Sequence, residues 1–540
     1  MRVSGNIVDV LSNQIYPGTI EIKDKIIKGI NRENKRYKTY ILPGFIDAHC
    51  HIESSMLCPS EFARIATIHG TVATVSDPHE IANVLGIEGV HFMIENGKQV
   101  PFKFYFGAPS CVPATDFDAT GVSMDASALE ILLKNPEIKY LSEMMNFPGV
   151  INRDPQVMEK IAIAKRNKKP IDGHAPGLTG DALKRYIEAG ITTDHECFRY
   201  DEAEEKINLG MKVIIREGSA AKNFDTLSNL ISKYPQRCML CSDDKHPDDL
   251  VEGHINSLVK KAVHKGIDIM KVLRCACVNP VFHYGLDVGL LRNGDYADFI
   301  EVDDLKNLNI LKTYINGKVV AEGGSPLIGH VSARHVNRFA AQKKSPLDFF
   351  IYGNQDKKAN VIEAIDGQVI TGKLEATIKI TDGCFKADKE RDILKIAVIN
   401  RYINEKPAIA FIKNFGLKKG AIASSIAHDA HNIVVVGTAD DDICSAVNLI
   451  IENRGGLTVA AGDIRSVMPL PIAGLMSDRD GYEVARIYSD LDRLAKQMGS
   501  NLNSPFMTLS FMSLPVIPRL KIIGKGLFDV DRFSFVEVFI

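Results

Sequence analysis

The sequence predicts an α/β protein built on a (β/α)8 barrel of the TIM type, flanked by short β segments and followed by an additional C-terminal α/β domain. Three observations predict it. Apolar runs of strand length recur eight times between residues 41 and 284, at 41–46, 71–76, 103–107, 138–142, 169–172, 191–194, 211–216 and 238–241, each followed by a helical or loop segment. That span is close to the roughly 250 residues such a barrel typically occupies. Histidines and acidic residues cluster at the carboxyl ends of these runs, where a closed barrel assembles its active site; this favours the barrel over the runner-up, a doubly wound open sheet. The character of the chain then changes after Gly323-Gly324, so residues 335–540 read as a separate domain.

Residues 1–40 contain the β segments Gly5–Val10 and Gly18–Lys23, separated by polar turns. The pattern returns within 285–330, at Gly294–Asp303 and Thr313–Val320, where Asn316-Gly317 is a hairpin-turn signal. Between these flanks, residues 41–284 carry helices with ordinary stop signals: Asp181–Ala189 is closed by Gly190 and Asp201–Leu209 by Gly210. In the last third, Ile433–Gly437 reads as a buried strand and Tyr482–Lys496 as an amphipathic helix.

At 540 residues the chain is too long for a single core and implies two or three domains. A formal net charge of −2 gives no electrostatic reason to expect nucleic acid or an anionic membrane, so a small molecule is the expected partner. No apolar stretch approaches the ~20 residues needed to span a bilayer, and the first residues lack the apolar core of a signal peptide, so a cytoplasmic location is expected. Ten cysteines in so long a chain are not a disulfide framework, and neither Cys238/Cys241 nor Cys275/Cys277 has the companion pair of a structural zinc site.

The chemistry begins at His49-Cys50-His51. Side chains alternate along a strand, so the two imidazoles can converge on one point while Cys50 faces the other way: half of a metal site. Further strand ends bring Asp77 and His79, Glu143, His174, His195, and Asp243 with Asp244. Singly, each such residue would ordinarily be a cap or a turn group. Together they form a set.

The run Ile41–Ser55 resembles the first-strand motif of the amidohydrolase superfamily, and four histidines and two carboxylates arriving from strands one, one, four, five, six and eight match its two-metal arrangement. The flanking β segments resemble the halves of the small β-sandwich that amidohydrolases build beside their barrel. The words His51–Met56, Ser76–Val84, Glu143–Val150, Asp172–Pro176 and Ala427–Asn432 resemble the adenine deaminase family over nearly the whole chain. That resemblance implies hydrolysis of adenine to hypoxanthine and ammonia in purine salvage and adenine catabolism, with a divalent metal, Mn²⁺ or Fe²⁺ favoured. It also implies that His49 and His51 bind one metal, that His174 and His195 bind the other, and that the aspartate of strand eight completes the set. Many amidohydrolases bridge their metals with a lysine on strand four. Here Lys139 lies about 13 Å of extended chain before the mouth end, so Glu143 is the expected bridging ligand.

A divalent cation draws the pKa of bound water from 15.7 towards ~7 and so supplies a nucleophile at neutral pH. By ligand chemistry alone the six donors suit Mn²⁺, Fe²⁺ and Zn²⁺ equally. Asp243 is the candidate general base, with Asp244 left open because the end of strand eight is not readable to one residue. Glu53, on the same face as His51, is the candidate acid for the departing amine or a purine-holding group. Asp77 and His79 are pocket-wall groups or hold a ligand from behind, and the second role is preferred. Spacing alone makes His428 and His431 a polar turn or another metal site; the family resemblance places their segment at the barrel mouth. The H-x-E…P-C-x-x-C signature of the nucleic-acid deaminases is absent. A cyclic amide hydrolase of the dihydropyrimidinase or dihydroorotase type on the same barrel is the alternative enzyme, and a scaffold that has lost catalysis is the alternative class. A homo-oligomer is expected.

Overall fold

The structure is a computed structural model that describes residues 1–540. Eight parallel strands form the central barrel. Phe45–Cys50, Thr71–Ser76, Lys103–Ala108, Ile138–Met144 and Ile171–Gly173 pair in that order, as do Thr193–Asp194, Lys212–Arg216 and Cys238–Cys241. Backbone hydrogen bonds complete the ring. Thr192 N–H donates to Ile171 O at 3.0 Å between strands five and six, while Asp243 N–H to His49 O (3.0 Å) and His51 N–H to Asp243 O (3.2 Å) join strand eight to strand one.

The apolar run at 41–46 is divided rather than forming one strand. Tyr40–Pro43 pairs with Arg2–Asp9 and with Phe299–Val302 in the flanking sheet, and after Gly44 the chain enters the barrel at Phe45. Gly44 permits this close turn: a Cβ there would lie 2.4 Å from Val72 Cγ1. The segments before and after the barrel form one eight-stranded sheet around a small core of its own, in which the Phe299 and Tyr314 rings stack with centroids 4.3 Å apart.

The C-terminal part is built on a second eight-stranded sheet, antiparallel except where Lys357–Ala364 pairs with Ala408–Lys413. Ile433–Gly437 is a fully buried strand near its centre. Helix Gly481–Gln497, started by the Asp480 carboxylate accepting from Tyr482 N–H, buries Val484, Ala485, Tyr488, Leu491 and Ala495. At about 1.5–3 kcal/mol per large apolar side chain, this face holds the helix against the barrel. Arg64 to Asp480 (2.6 Å), Gly481 N–H to Glu61 (2.9 Å) and the His246–Tyr488 contact (2.5 Å) fasten the same seam. One continuous core runs through barrel and C-terminal sheet, so the C-terminal region meets the barrel mouth of its own chain. No helix is long and apolar enough to cross a membrane.

Lys521 stands on the strand Leu520–Ile523, fully buried, and its Nζ donates to the carbonyls of Val369 (2.8 Å) and Phe511 (2.9 Å). Two acceptors match the two N–H groups of a neutral amine, and burial pushes the Lys521 amine down to about 7. The unfolded chain keeps this group protonated up to about pH 10 and so binds more protons between about pH 7 and 10; the neutral amine's contribution to stability therefore grows with pH across that window and is lost as pH falls towards 7. Thermal unfolding of the wild type and Lys521→Met in parallel tests this: the wild type should gain on the variant as pH is raised from 7 to 10.

Candidate active site

The carboxyl ends of the barrel strands bring the predicted donors together. His49 and His51 flank Cys50 on strand one, and their Nε2 atoms lie 3.2 Å apart. Cys50 turns the other way, its sulfur 3.5 Å from Ser76 Oγ. The ring contact between His51 Nδ1 and the Asp77 carbonyl (3.1 Å) can only be a donation from nitrogen, which leaves the Nε2 lone pair free. Asp243 Oδ1 is 3.5 Å from His49 Nε2 and 3.3 Å from His51 Nε2.

Glu143, at the end of strand four, divides its two oxygens between the two histidine pairs. Oε1 is 3.3 Å from His51 Nε2 and 3.9 Å from His49 Nε2; Oε2 is 2.7 Å from His174 Nδ1 and 3.2 Å from His195 Nε2. Burial favours the neutral acid, but His195 and His174 overcome it and hold the Glu143 carboxyl well below the usual range. For His174 burial also opposes charge, and the carboxylates of Glu196 and Glu143 raise it to about 9. The donor atoms fall into overlapping groups within 4.8 Å of one another, among them His49/His51/Asp243, His49/Glu143/His195 and His174/His195/Glu196. So many buried nitrogens and carboxylate oxygens at such spacing fit divalent cations, with no thiolate to favour a softer metal.

Other residues hold the donors in place. Asp47 accepts from Ser242 N–H (3.0 Å), Ser242 Oγ (2.5 Å) and His254 Nε2 (2.8 Å), which fastens strand eight beside strand one. Lys206, fully buried, donates to Asp194 (2.8 Å), Glu202 (2.7 Å) and the Ala175 carbonyl (2.7 Å), tying the segments that carry His174 and His195. Arg216 spans Glu196 and Asp243, with Nη2 2.9 Å from Glu196 Oε2 and Nη1 2.5 Å from Asp243 Oδ2. Burial again favours the neutral acid at Asp243, and Arg216 leads the groups that hold it well below the usual range.

The remaining predicted residues have distinct placements. Asp244 reaches the cavity beside Asp243, accepts from Ser54 Oγ at 2.5 Å, and is raised by burial and by its charged neighbour. The Asp77 backbone, rather than its carboxylate, holds His51; Asp77 Oδ2 and His79 Nδ1 lie 3.2 Å apart without hydrogen-bond alignment, and His79 lines the cavity. Glu53 is a correction. The strand ends at Cys50 and Ile52–Ser55 is a 3₁₀ turn, Glu53 Oε1 accepts from Ile81 N–H (3.2 Å), burial raises the carboxyl to about 7, and Glu53 is not among the residues that line the cavity. The helix that begins at His79 presents that N–H, and the carboxylate is drawn to it. His428 lines the cavity and His431 stands behind it, both bonded to Glu80.

Glu80, Glu196 and Arg216, legible in the sequence as polar residues at the ends of strands two, six and seven but given no role there, also line the cavity. Sequence reasoning missed Val369, Phe511, Leu514 and Ile517, which form an apolar roof over the donors and carry no local sequence signal.

A closed parallel barrel with these donors at its mouth defines a metal-dependent hydrolase, and residues 40–320 match the model of the Amidohydrolase family. Residues 368–534 match the Adenine deaminase C-terminal domain. The chain is 55% identical over 538 residues to an adenine deaminase of Sulfurovum sp. (strain NBC37-1), covering 99% of each chain. It is 53% identical to that of Salinibacter ruber (100% of this chain, 99% of the relative) and 53% identical to that of Methanosarcina barkeri (99% and 98%). The chain belongs to the adenine deaminase family.

Two substitutions test the geometry. His51→Asn should lower metal content measured by elemental analysis, since an amide replaces imidazole poorly. A Cβ at Gly173 would lie 2.4 Å from the Thr193 carbonyl of the neighbouring strand. Gly173→Ala should therefore force strands five and six apart, cost about 1–3 kcal/mol in denaturant unfolding, and lower metal affinity through the adjacent His174.

Proposed function

We propose that the protein hydrolyses free adenine to hypoxanthine and ammonia with a pair of divalent cations, and that it serves purine salvage and adenine catabolism in the cytoplasm. The observation that carries this reading is Glu143, one carboxylate set between two imidazole pairs under an apolar roof, in a chain whose full length aligns with adenine deaminases. His49 and His51 would hold one cation, His174 and His195 the other, with Glu143 between them and Asp243 as the sixth donor. A cation bound there supplies the charge that makes water nucleophilic at neutral pH. Mn²⁺ or Fe²⁺ is favoured by the family, and Zn²⁺ suits the donors as well.

The chain's own groups account for the rest. Asp243 is the base: Oδ1 faces the histidines and the Arg216 guanidinium fixes Oδ2, which keeps the carboxylate ionised and aimed. Asp244, beside it on the cavity wall, is the second candidate for that role. The departing nitrogen needs a proton to leave as ammonia. Met145, Phe511, Leu514 and Ile517 give a flat apolar base somewhere to lie and exclude water. We assign the barrel to residues 45–284, the small β domain to 1–44 and 285–330 because Tyr40–Pro43 pairs in the flanking sheet, and the C-terminal domain to 335–540, and we expect a homo-oligomer.

Ammonia release from adenine, compared with hydantoins and dihydropyrimidines, separates this reading from a cyclic amide hydrolase; turnover of adenine alone is expected. Chelation should abolish it and Mn²⁺ should restore it. Asp243→Asn should keep much of the metal yet lose about 10²–10⁴ in kcat; wild-type turnover would move the base to Asp244.

A further inference from the structure

The one ionisable side chain that the C-terminal domain stacks against the roof is His428. Its ring lies parallel to that of Phe511, with centroids 4.4 Å apart and planes 17° from parallel. Nδ1 is bonded to Glu80 Oε1, and Nε2, for which no hydrogen bond within the protein is seen, is left to the cavity that His428 lines. Glu80 comes from the barrel and is buried, so the pair joins the two domains across the cavity edge.

The protons of this cluster can be placed. Ala427 N–H points at His431 Nδ1 (3.3 Å), which must therefore be an acceptor, so the His431 proton sits on Nε2 and is donated to Glu80 Oε2 at 2.5 Å. His431 is thus neutral, in keeping with the burial that lowers it. The Glu80 charge is shared between His79, whose Nε2 lies 3.5 Å from Oε1, and the nearer His428. Burial opposes its charge, but Glu80 raises it to about 9. Glu80, His428 and His431 also stand at metal-donor spacing, and in this structure their contacts are hydrogen bonds whose protons are accounted for.

Resting on the adenine reading above, we propose that His428, held by Glu80 and stacked on Phe511, donates a hydrogen bond from Nε2 to a ring nitrogen of the purine. A purine offers acceptor nitrogens in the plane of its ring, and a donor on one of them both fixes the base beneath the roof and draws electron density from C6, the carbon that water attacks. The bond strengthens as negative charge builds on the ring, so it favours the transition state over the bound substrate. His428 is thereby a catalytic residue supplied by a domain outside the barrel.

The test uses full-length, metal-loaded enzyme: wild type, His428→Gln and Glu80→Gln, the last keeping the shape of the side chain but losing its charge and one of its two acceptors. Steady-state kinetics with adenine are combined with calorimetric binding of unsubstituted purine, which keeps the ring nitrogens and has no amino group to protonate. Both variants should lose about 10²–10³ in kcat/KM. Purine should bind about ten- to a hundredfold more weakly to His428→Gln, at unchanged metal content and unfolding midpoint. Loss of adenine turnover with unaltered purine affinity would make His428 a donor to the leaving amine and overturn the proposal, as would wild-type kinetics in both variants. A wild-type enzyme that releases no ammonia from adenine would instead overturn the function itself.

Discussion

The site depends on one carboxylate. Glu143 is buried at the mouth of the barrel with an imidazole pair on each oxygen, and nothing else reaches both pairs. Without positive charge beside it, an ionised carboxylate in such surroundings would be neutralised by its own desolvation. The imidazoles or the cations they hold must supply that charge. The barrel is the means of bringing them there, since strands distant in sequence end side by side on a single rim. Much of the surrounding polar network, from Asp47 on the first strand to Arg216 on the seventh and Lys206 behind the sixth, keeps these donors from relaxing apart.

The ring closes at the donors themselves. The hydrogen bonds that join strand eight to strand one run between the backbones of His49, His51 and Asp243. The residues proposed to hold metal are therefore the ones that close the barrel, so that what loosens the ring also loosens the proposed site. This is why Asp47, which touches no substrate, is surrounded by hydrogen bonds from Ser242 and His254.

The sequence made the barrel legible because its signals are local. Eight apolar runs, and the His49-Cys50-His51 alternation, depend only on residues within one strand. The division of the first run between two sheets was not legible, because Pro43-Gly44 is compatible with an uninterrupted strand end and only the partner strands decide. Glu53 misled because the strand alternation that set it on the face of His51 stops at Cys50, just before a 3₁₀ turn, and the N–H of Ile81, at the start of a helix, takes one oxygen of its carboxylate. The roof was the least legible part. Phe511, Leu514 and Ile517 sit in a loop-rich stretch without periodicity, and only tertiary packing tells that they cover the barrel.

Most of that roof, Phe511, Leu514 and Ile517, lies far downstream of the barrel in the chain. A ribosome releases the whole barrel, histidines and carboxylates included, well before Phe511 and Lys521 emerge, and domains generally fold in the order in which they appear. The nascent barrel thus stands open to solvent with its donors assembled until the later domain folds over it.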